Sequence, residues 1–255
     1  MFYCCGITEK GIMPHNEDAI MIGKNVITDG SAEFKMNAPF ITAVSDGVSG
    51  ELSGELASSM CLKLLSDIKY SKKVHIKQKL SDIHTQLAKY GSEHSETLNM
   101  QATLCGLAID ENAFIHLINV GDSRLYRFRG GHIRQISRDQ SLVQLLYEEG
   151  TITYEERKNH IHKNIIFPVL GNISTKPRID VEPLTDGMQY GDILILCTDG
   201  LSDYVSSIEI EEILDLPKSL PQRLSMLTEK AVKNGGNDNI SVIAVVYCDD
   251  SITLD

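Results

Sequence analysis

Several things are missing from this 255-residue chain, and each absence removes a class of function. There is no tryptophan. There is no basic excess: 24 Lys and Arg stand against 35 Asp and Glu, for a net charge of −11. A broad nucleic-acid footprint is therefore not expected, and neither is binding to an anionic membrane surface. The run "ISVIAVVYC" (Ile240 to Cys248) is far shorter than the roughly 20 apolar residues that span a bilayer. The N-terminal "MFYCCGITEKG" has no basic segment followed by an apolar one, so no signal peptide is expected. No GxxxxGK[ST] phosphate loop and no GxSxG elbow occurs. None of the six cysteines forms a CxxC pair, and most lie in apolar runs. Reduced, buried thiols in a cytoplasmic protein are expected, not a disulfide or zinc framework.

What is present is ordinary globular composition, 42% hydrophobic and 23% charged, enough for a sizeable core. The pattern predicts strands at "FYCCGIT", "AIMIG", "NVIT" and "PFITAVSDG" (Pro39 to Gly47). Leu52, Leu56, Met60, Leu64 and Ile68 recur every four residues, which predicts a helix over Glu51 to Ile68. Ile76, Leu80, Ile83 and Leu87 predict a second over Val74 to Tyr90. The period then changes. "ATLCGLAID", "AFIHLINVGD", "RLYRFRGG" and "HIRQIS" read as an antiparallel meander. Helices follow at "SLVQLLYEEG", with Gly150 as C-cap, and a short helix or lid at "ITYEERKNHIHKN". "DILILCTDG" is a strand, "SSIEIEEILDL" and "PQRLSMLTEKAVKNGG" are helices, and "NISVIAVVYC" is the last strand. Paired helices between runs of strands suggest an α+β domain of sheets packed on each other, with helices outside.

The acids fall at particular places in this pattern. Asp46, Asp122, Asp199 and Asp238 lie at the ends of apolar strands, and Glu17 and Asp18 sit side by side in "GIMPHNEDA". A single such aspartate is ordinarily a turn residue whose side chain caps local amides. Two near-identical turns, "SDG" and "TDG", weaken that reading for the set. If the strand ends converge, the carboxylates meet, and an all-oxygen set suits Mg²⁺ or Mn²⁺ better than zinc. Two cations about 3.5–4 Å apart lower the pKa of a shared water and clamp an in-line displacement, which suits phosphate-ester hydrolysis. The "HIH" pair, His160 and His162, reads as lid surface.

In order, the chain carries "NEDA", "VSDGVSGELSGELAS", "VGDSRLY", "RDQSLVQLLYEEGTIT", "CTDGLSD" and "GGNDNISVIAV". Together these resemble the metal-dependent protein phosphatases, the type 2C serine/threonine family, in its compact bacterial form. The resemblance implies a four-layer α-β-β-α sandwich with two central antiparallel sheets. It implies one domain over residues 1–250, a flap near 141–172 that governs substrate choice, and a short tail, 251–255. It makes Asp46, Asp199 and Asp238 the catalytic aspartates. Asp46 would bridge two Mn²⁺ or Mg²⁺ ions, the Gly47 carbonyl would bind one, and Asp199 and Asp238 would complete the coordination of the first ion. Glu17 would serve the second ion, Asp18 would help from behind, and Asp122 would hold a third, weaker ion. The implied reaction is hydrolysis of phosphoserine and phosphothreonine by water, with no phospho-enzyme. The implied partner is a phosphorylated protein, the product of a serine/threonine kinase; a monomer is expected. Asn239 is expected to brace the loop and Arg124 to salt-bridge locally.

Two departures stand out. The family reads G-x-x-R-x-x-N-E-D, and its Arg grips the substrate phosphate; here the place holds Pro14, one residue short in spacing. Lys10 or His15 would have to substitute in part. Losing a hydrogen bond between charged partners, roughly 1.5–3 kcal/mol, weakens catalysis on the order of 10- to 150-fold. Val48 and Ser49 stand where the family favours Met-Gly or His-Gly, and valine cannot act as a general acid. The alternative is a weak or inactive phosphatase-like regulator that binds a phosphoprotein.

Overall fold

Strand side chains alternate faces, so a strand buried on both sides must be apolar throughout. This chain has several such strands, and they build two stacked sheets. The computed structural model describes residues 1–48 and 52–248. The first sheet runs β4 (Gly30–Met36), β1 (Phe2–Glu9), β12 (Ile240–Tyr247), β11 (Ile193–Cys197), β8 (Arg124–Arg129) and β9 (His132–Gln135). The second runs β10 (Asp180–Pro183), β7 (Ile115–Val120), β6 (Leu104–Ile109), β5 (Phe40–Asp46), β2 (Asp18–Ile22) and β3 (Asn25–Ile27). All the pairings are antiparallel.

Neighbouring cysteines show how the layers separate. Cys4 points between the sheets, among Ile20, Val44, Leu107, Leu196 and Val245. Cys5 points the other way, toward Leu224 and Leu227 of α7 (Leu220–Lys233), which covers the first sheet with α6 (Ser207–Leu214). A third cluster joins Met21, Ala43 and Ala108 of the second sheet to Leu62 and Leu65 of α1 (Leu52–Ser66) and Leu80 and Leu87 of α2 (Ile76–Glu93). Three apolar seams hold four layers, the expected α-β-β-α sandwich. Each fully buried Leu or Ile in them contributes about 1.5–3 kcal/mol relative to exposure.

The structure departs from the sequence reading in three places. The expected meander is split: β6 and β7 belong to one sheet, β8 and β9 to the other. The crossing is made at Gly121, whose φ of +102° favours glycine and where a Cβ would meet Thr103. Strands β4 and β10 were not anticipated. Both are edge strands, half-exposed and rich in polar residues, so they lack an apolar signature. A single turn of helix, α5 (Asp199–Ser202), follows β11 directly. Glu51 and Ser49, read above as a helix start and a departure from the family pattern, lie outside the described residues, as do 249–255. Among the described residues, no helix is long and apolar enough to cross a membrane.

Between the sheets' ends lies a segment with α3 (Leu142–Glu148) and α4 (Tyr154–Lys158). It is tied down at its base. Leu142 N–H donates to the Ile165 carbonyl at 2.9 Å and Phe167 N–H to the Gln140 carbonyl at 2.8 Å. Leu170 pairs with Ala102.

Candidate active site

The strand-end acids do meet. Asp46 ends β5 and Asp18 begins β2, and the two are directly opposed in the antiparallel register. Like charges across a sheet destabilise it, so this pairing needs a reason. Asp122 lies at the crossing between the sheets, Asp199 opens α5 behind β11, and Asp238 precedes β12. Glu17, Asp46, Asp122, Asp199 and Asp238 line one cavity of about 360 Å³, with Gly47 and Asn239.

Close backbone packing sets this geometry. A Cβ on Gly47 would collide with the Gly54 carbonyl of α1, and one on Gly54 would strike the Glu17 carboxylate. A Cβ on Gly200 would collide with the Asn239 carbonyl. The glycines that follow Asp46 and Asp199 are therefore required by contact. Asp46 N–H donates to Thr103 Oγ1 at 3.0 Å, and Gly47 N–H to the Glu17 carbonyl at 3.1 Å.

Asn239 joins the loop before β2 to the segment before β12. Its Oδ1 accepts from Glu17 N–H at 2.8 Å, and its Nδ2 donates to the carbonyls of Lys10 at 3.1 Å and His15 at 2.7 Å. The "GIMPHNE" loop is thus held by a buried amide 222 residues or more away in sequence. Lys10 and His15 serve it through their backbone. Their side chains are exposed and are not among those lining the cavity.

Asp18 sits behind the cavity wall, fully buried, and accepts from Thr198 Oγ1 at 2.7 Å. Burial pushes its pKa up to about 7, opposed by Thr198 and Ser241 and reinforced by Asp238 and Glu17. Burial also carries Asp122 to about 7, with Asp139 reinforcing and Arg124 opposing. Asp46 and Asp199 are displaced well above the carboxylate range, first by burial and then by their acidic neighbours. Asp238 moves up for the first of those reasons, and the Lys163 ammonium opposes it. Carboxylates crowded this way must gain protons or cations.

The donor set fits hard divalent cations: carboxylate and carbonyl oxygens, with no thiol or imidazole on the cavity wall. Among the described residues, no three His, Cys, Asp or Glu side chains form a metal site by themselves. A cation here would draw on backbone carbonyl oxygen and water as well as carboxylate, which is how Mg²⁺ is usually held.

Arg124 makes a bidentate bridge to Asp139, Nε and Nη2 lying 3.0 and 2.7 Å from Oδ2, as anticipated for a local salt bridge. His160 and His162 lie together on the flap surface, with the His162 N–H donating to His160 Nδ1. Sequence reasoning missed Asn164 and Ile166, which reach the cavity from the flap, and the hydroxyls of Thr103 and Thr198 beside the acids. Thr198 was findable, because it precedes Asp199 on a strand end. Asn164 carried no signal.

The wider resemblance agrees. A family model described as "Protein phosphatase 2C" matches residues 26–235. The serine/threonine phosphatase stp of Listeria welshimeri is 33% identical over 248 residues, covering 93% of each chain. The crystal structure of serine/threonine phosphatase Stp1 from Staphylococcus aureus superposes with a TM-score of 0.81 at 27% identity, covering 98% of this chain and 96% of that one. The catalytic domain of the phosphatase PstP, solved with two manganese ions, superposes at 0.77 and 26% identity, covering 98% and 100%. Fold, acid placement and sequence converge, and the chain belongs to the protein phosphatase 2C family.

Proposed function

We propose that the protein is a serine/threonine protein phosphatase that hydrolyses phosphoserine and phosphothreonine in protein substrates with Mn²⁺ or Mg²⁺. The observation that carries this reading is the convergence of five carboxylates from separate strand ends on one cavity. The two manganese ions of the PstP structure support it.

Glu17, Asp46, the Gly47 carbonyl, Asp199 and Asp238 would hold two cations, and Asp122 would serve a third. Bound there, divalent cations make a water acidic enough to attack and neutralise phosphate charge. The chain's own residues do the positioning. Asn239 fixes the Glu17 backbone, and Thr198 and Asp18 tie the start of α5 to β2. Val48, exposed and lining the cavity, has no proton to give the leaving serine or threonine oxygen, so water or another group would protonate it. No arginine reaches the phosphate from the N-terminal loop. Lys10 and His15 are the basic groups proposed for that loop, and their side chains, which do not line the cavity, would have to turn inward to reach a phosphate.

A phosphorylated protein, made by a serine/threonine kinase, is the proposed partner, and a monomer in the cytoplasm the proposed state. Six buried free cysteines support a reducing compartment. The complete acid set favours catalysis over a binding-only regulator, which needs no such set.

The test is phosphate release from an aryl phosphate and a phosphothreonine peptide. Mn²⁺ should support turnover and chelator should abolish it. Asp238→Asn should lower kcat/KM on the order of 100- to 1,000-fold, as for the loss of one preorganised electrostatic group. Turnover indifferent to chelator or to that substitution contradicts the proposal.

A further inference from the structure

A larger hollow of about 530 Å³, within the usual span of ligand pockets, about 300–1,000 Å³, adjoins the acid cavity and shares Asp122, Asn164 and Asp199 with it. The flap helix α4 forms one wall. Strands β8 and β9 form another, and the start of α6 closes it.

Half of the charged residues lining the hollow are paired. Asp139 is bridged to Arg124, Asp203 to Lys163 at 3.2 Å, and Glu209 to Lys230 at 3.0 Å. Three cations lining the hollow are left: Arg134 on β9, and Arg157 and Lys158 on α4. None of the three has an ion-pair partner among the described residues. Two are held in place by other means. The Arg157 guanidinium donates to Gln144 Oε1 and lies 4.9 Å from the Tyr154 ring centre. Lys158 Nζ lies 5.6 Å from that ring. Stacking limits their motion without satisfying their charge. Three cations without an acid partner thus stand on the side of the hollow formed by β9 and α4, and the unpaired acids of its lining, Asp122 and Asp199, belong to the wall it shares with the candidate active site.

We propose that this hollow is a substrate-binding subsite for acidic side chains flanking the phosphorylated residue. The proposal rests on the phosphatase reading and adds a substrate class to it. A phosphoresidue placed against the five carboxylates leaves its neighbours in the chain facing Arg134, Arg157 and Lys158. Glutamate or aspartate there meets cations that have no other acid. The other cations of the lining, Arg124 and Lys163, are each paired with an acid, so the preference comes from these three residues.

The experiment uses two phosphothreonine peptides, identical except that three flanking residues are Glu in one and Gln in the other. Wild-type protein should show kcat/KM about 5- to 10-fold higher for the Glu peptide, the size expected of a few partly exposed ion pairs. The ratio should fall toward one in Arg134→Gln/Arg157→Gln/Lys158→Gln. It should also fade as salt rises from about 0.05 to 0.5 M, because the Debye length shortens. A ratio near one in wild type, or an unchanged ratio in the triple variant, overturns the proposal. Should the triple variant fail to fold, exposed Lys158→Gln carries the same comparison with a smaller shift. Failure to turn over an aryl phosphate would count against the phosphatase reading alone. Fluorescence anisotropy of the labelled peptides then decides the subsite: tighter Glu-peptide binding that the variants lose supports it, and equal affinity overturns it.

Discussion

Two hollows share Asp122 and Asp199 as a common wall, and they handle charge in opposite ways. In the smaller, five carboxylates face one another with no cation on the cavity wall, and the aspartates among them are pushed toward their protonated forms. In the larger, Asp139, Asp203 and Glu209 each hold a basic partner. A protein can satisfy a buried acid from its own sequence, and it does so at Asp139, in the lining of the adjoining hollow. Leaving the other set unsatisfied costs stability and creates affinity for something positive. That contrast supports a metal-binding function more strongly than the acids alone.

The same substitution should therefore have opposite effects in the two hollows. Asp139→Asn removes the acceptor of a largely buried arginine and should destabilise the protein by about 3–5 kcal/mol. Asp199→Asn in chelator removes one of the crowded charges and should stabilise by on the order of 1 kcal/mol, a rise of roughly 2–4 °C in midpoint for a chain of this size. Thermal melts of both variants without metal make the comparison. Two shifts of the same sign would break it. With Mn²⁺ added, wild type should overtake Asp199→Asn, because only the wild type keeps its full ligand set.

A smaller effect is expected at the far rim. Glu209 closes a capping box with Ser206 at the start of α6, its Oε2 accepting from the Ser206 N–H and Oγ at 2.8 Å each. The Ser206 N–H first, and then Lys230, hold the Glu209 carboxyl down to about 2. A depressed carboxyl contributes stability above its unfolded pKa of about 4.3 and loses it as pH falls toward the folded value. Glu209→Gln removes the carboxylate from these contacts and should cost about 1 kcal/mol at neutral pH, and the cost should shrink below about pH 4. Denaturant midpoints at pH 7 and pH 3 measure it; a cost that stays constant would reject this account of Glu209.

The acid hollow was legible in the sequence, and the basic one was not, for a physical reason. Strands such as "ILILC" and "FITAVSD" are buried on both faces, so each is a dense apolar run, and the acid that ends it stands out. The second hollow draws Arg134, Asp139, Arg157, Lys163 and Glu209 from turns, an edge strand and short helices. Charged residues are ordinary in such places, and only the fold shows which of them are paired. Strands β4 and β10 were missed on similar grounds, being half-solvated edges. The split of the meander at Gly121 was missed because periodicity reports a strand and not its sheet. Asn239 was legible as a loop brace, but its partners Lys10, His15 and Glu17 were not. Contact across the whole chain length leaves no local pattern.

Direct metal binding tests the central claim most closely, because it needs no substrate. Calorimetric titration of metal-free protein with Mn²⁺ should show about two tight sites per chain, the number expected of a two-metal hydrolytic centre. Asp46→Asn should lose both, since Asp46 is the carboxylate proposed to bridge them. Absence of binding to wild type, or unchanged binding by Asp46→Asn, would contradict the assignment of this cavity as a metal centre.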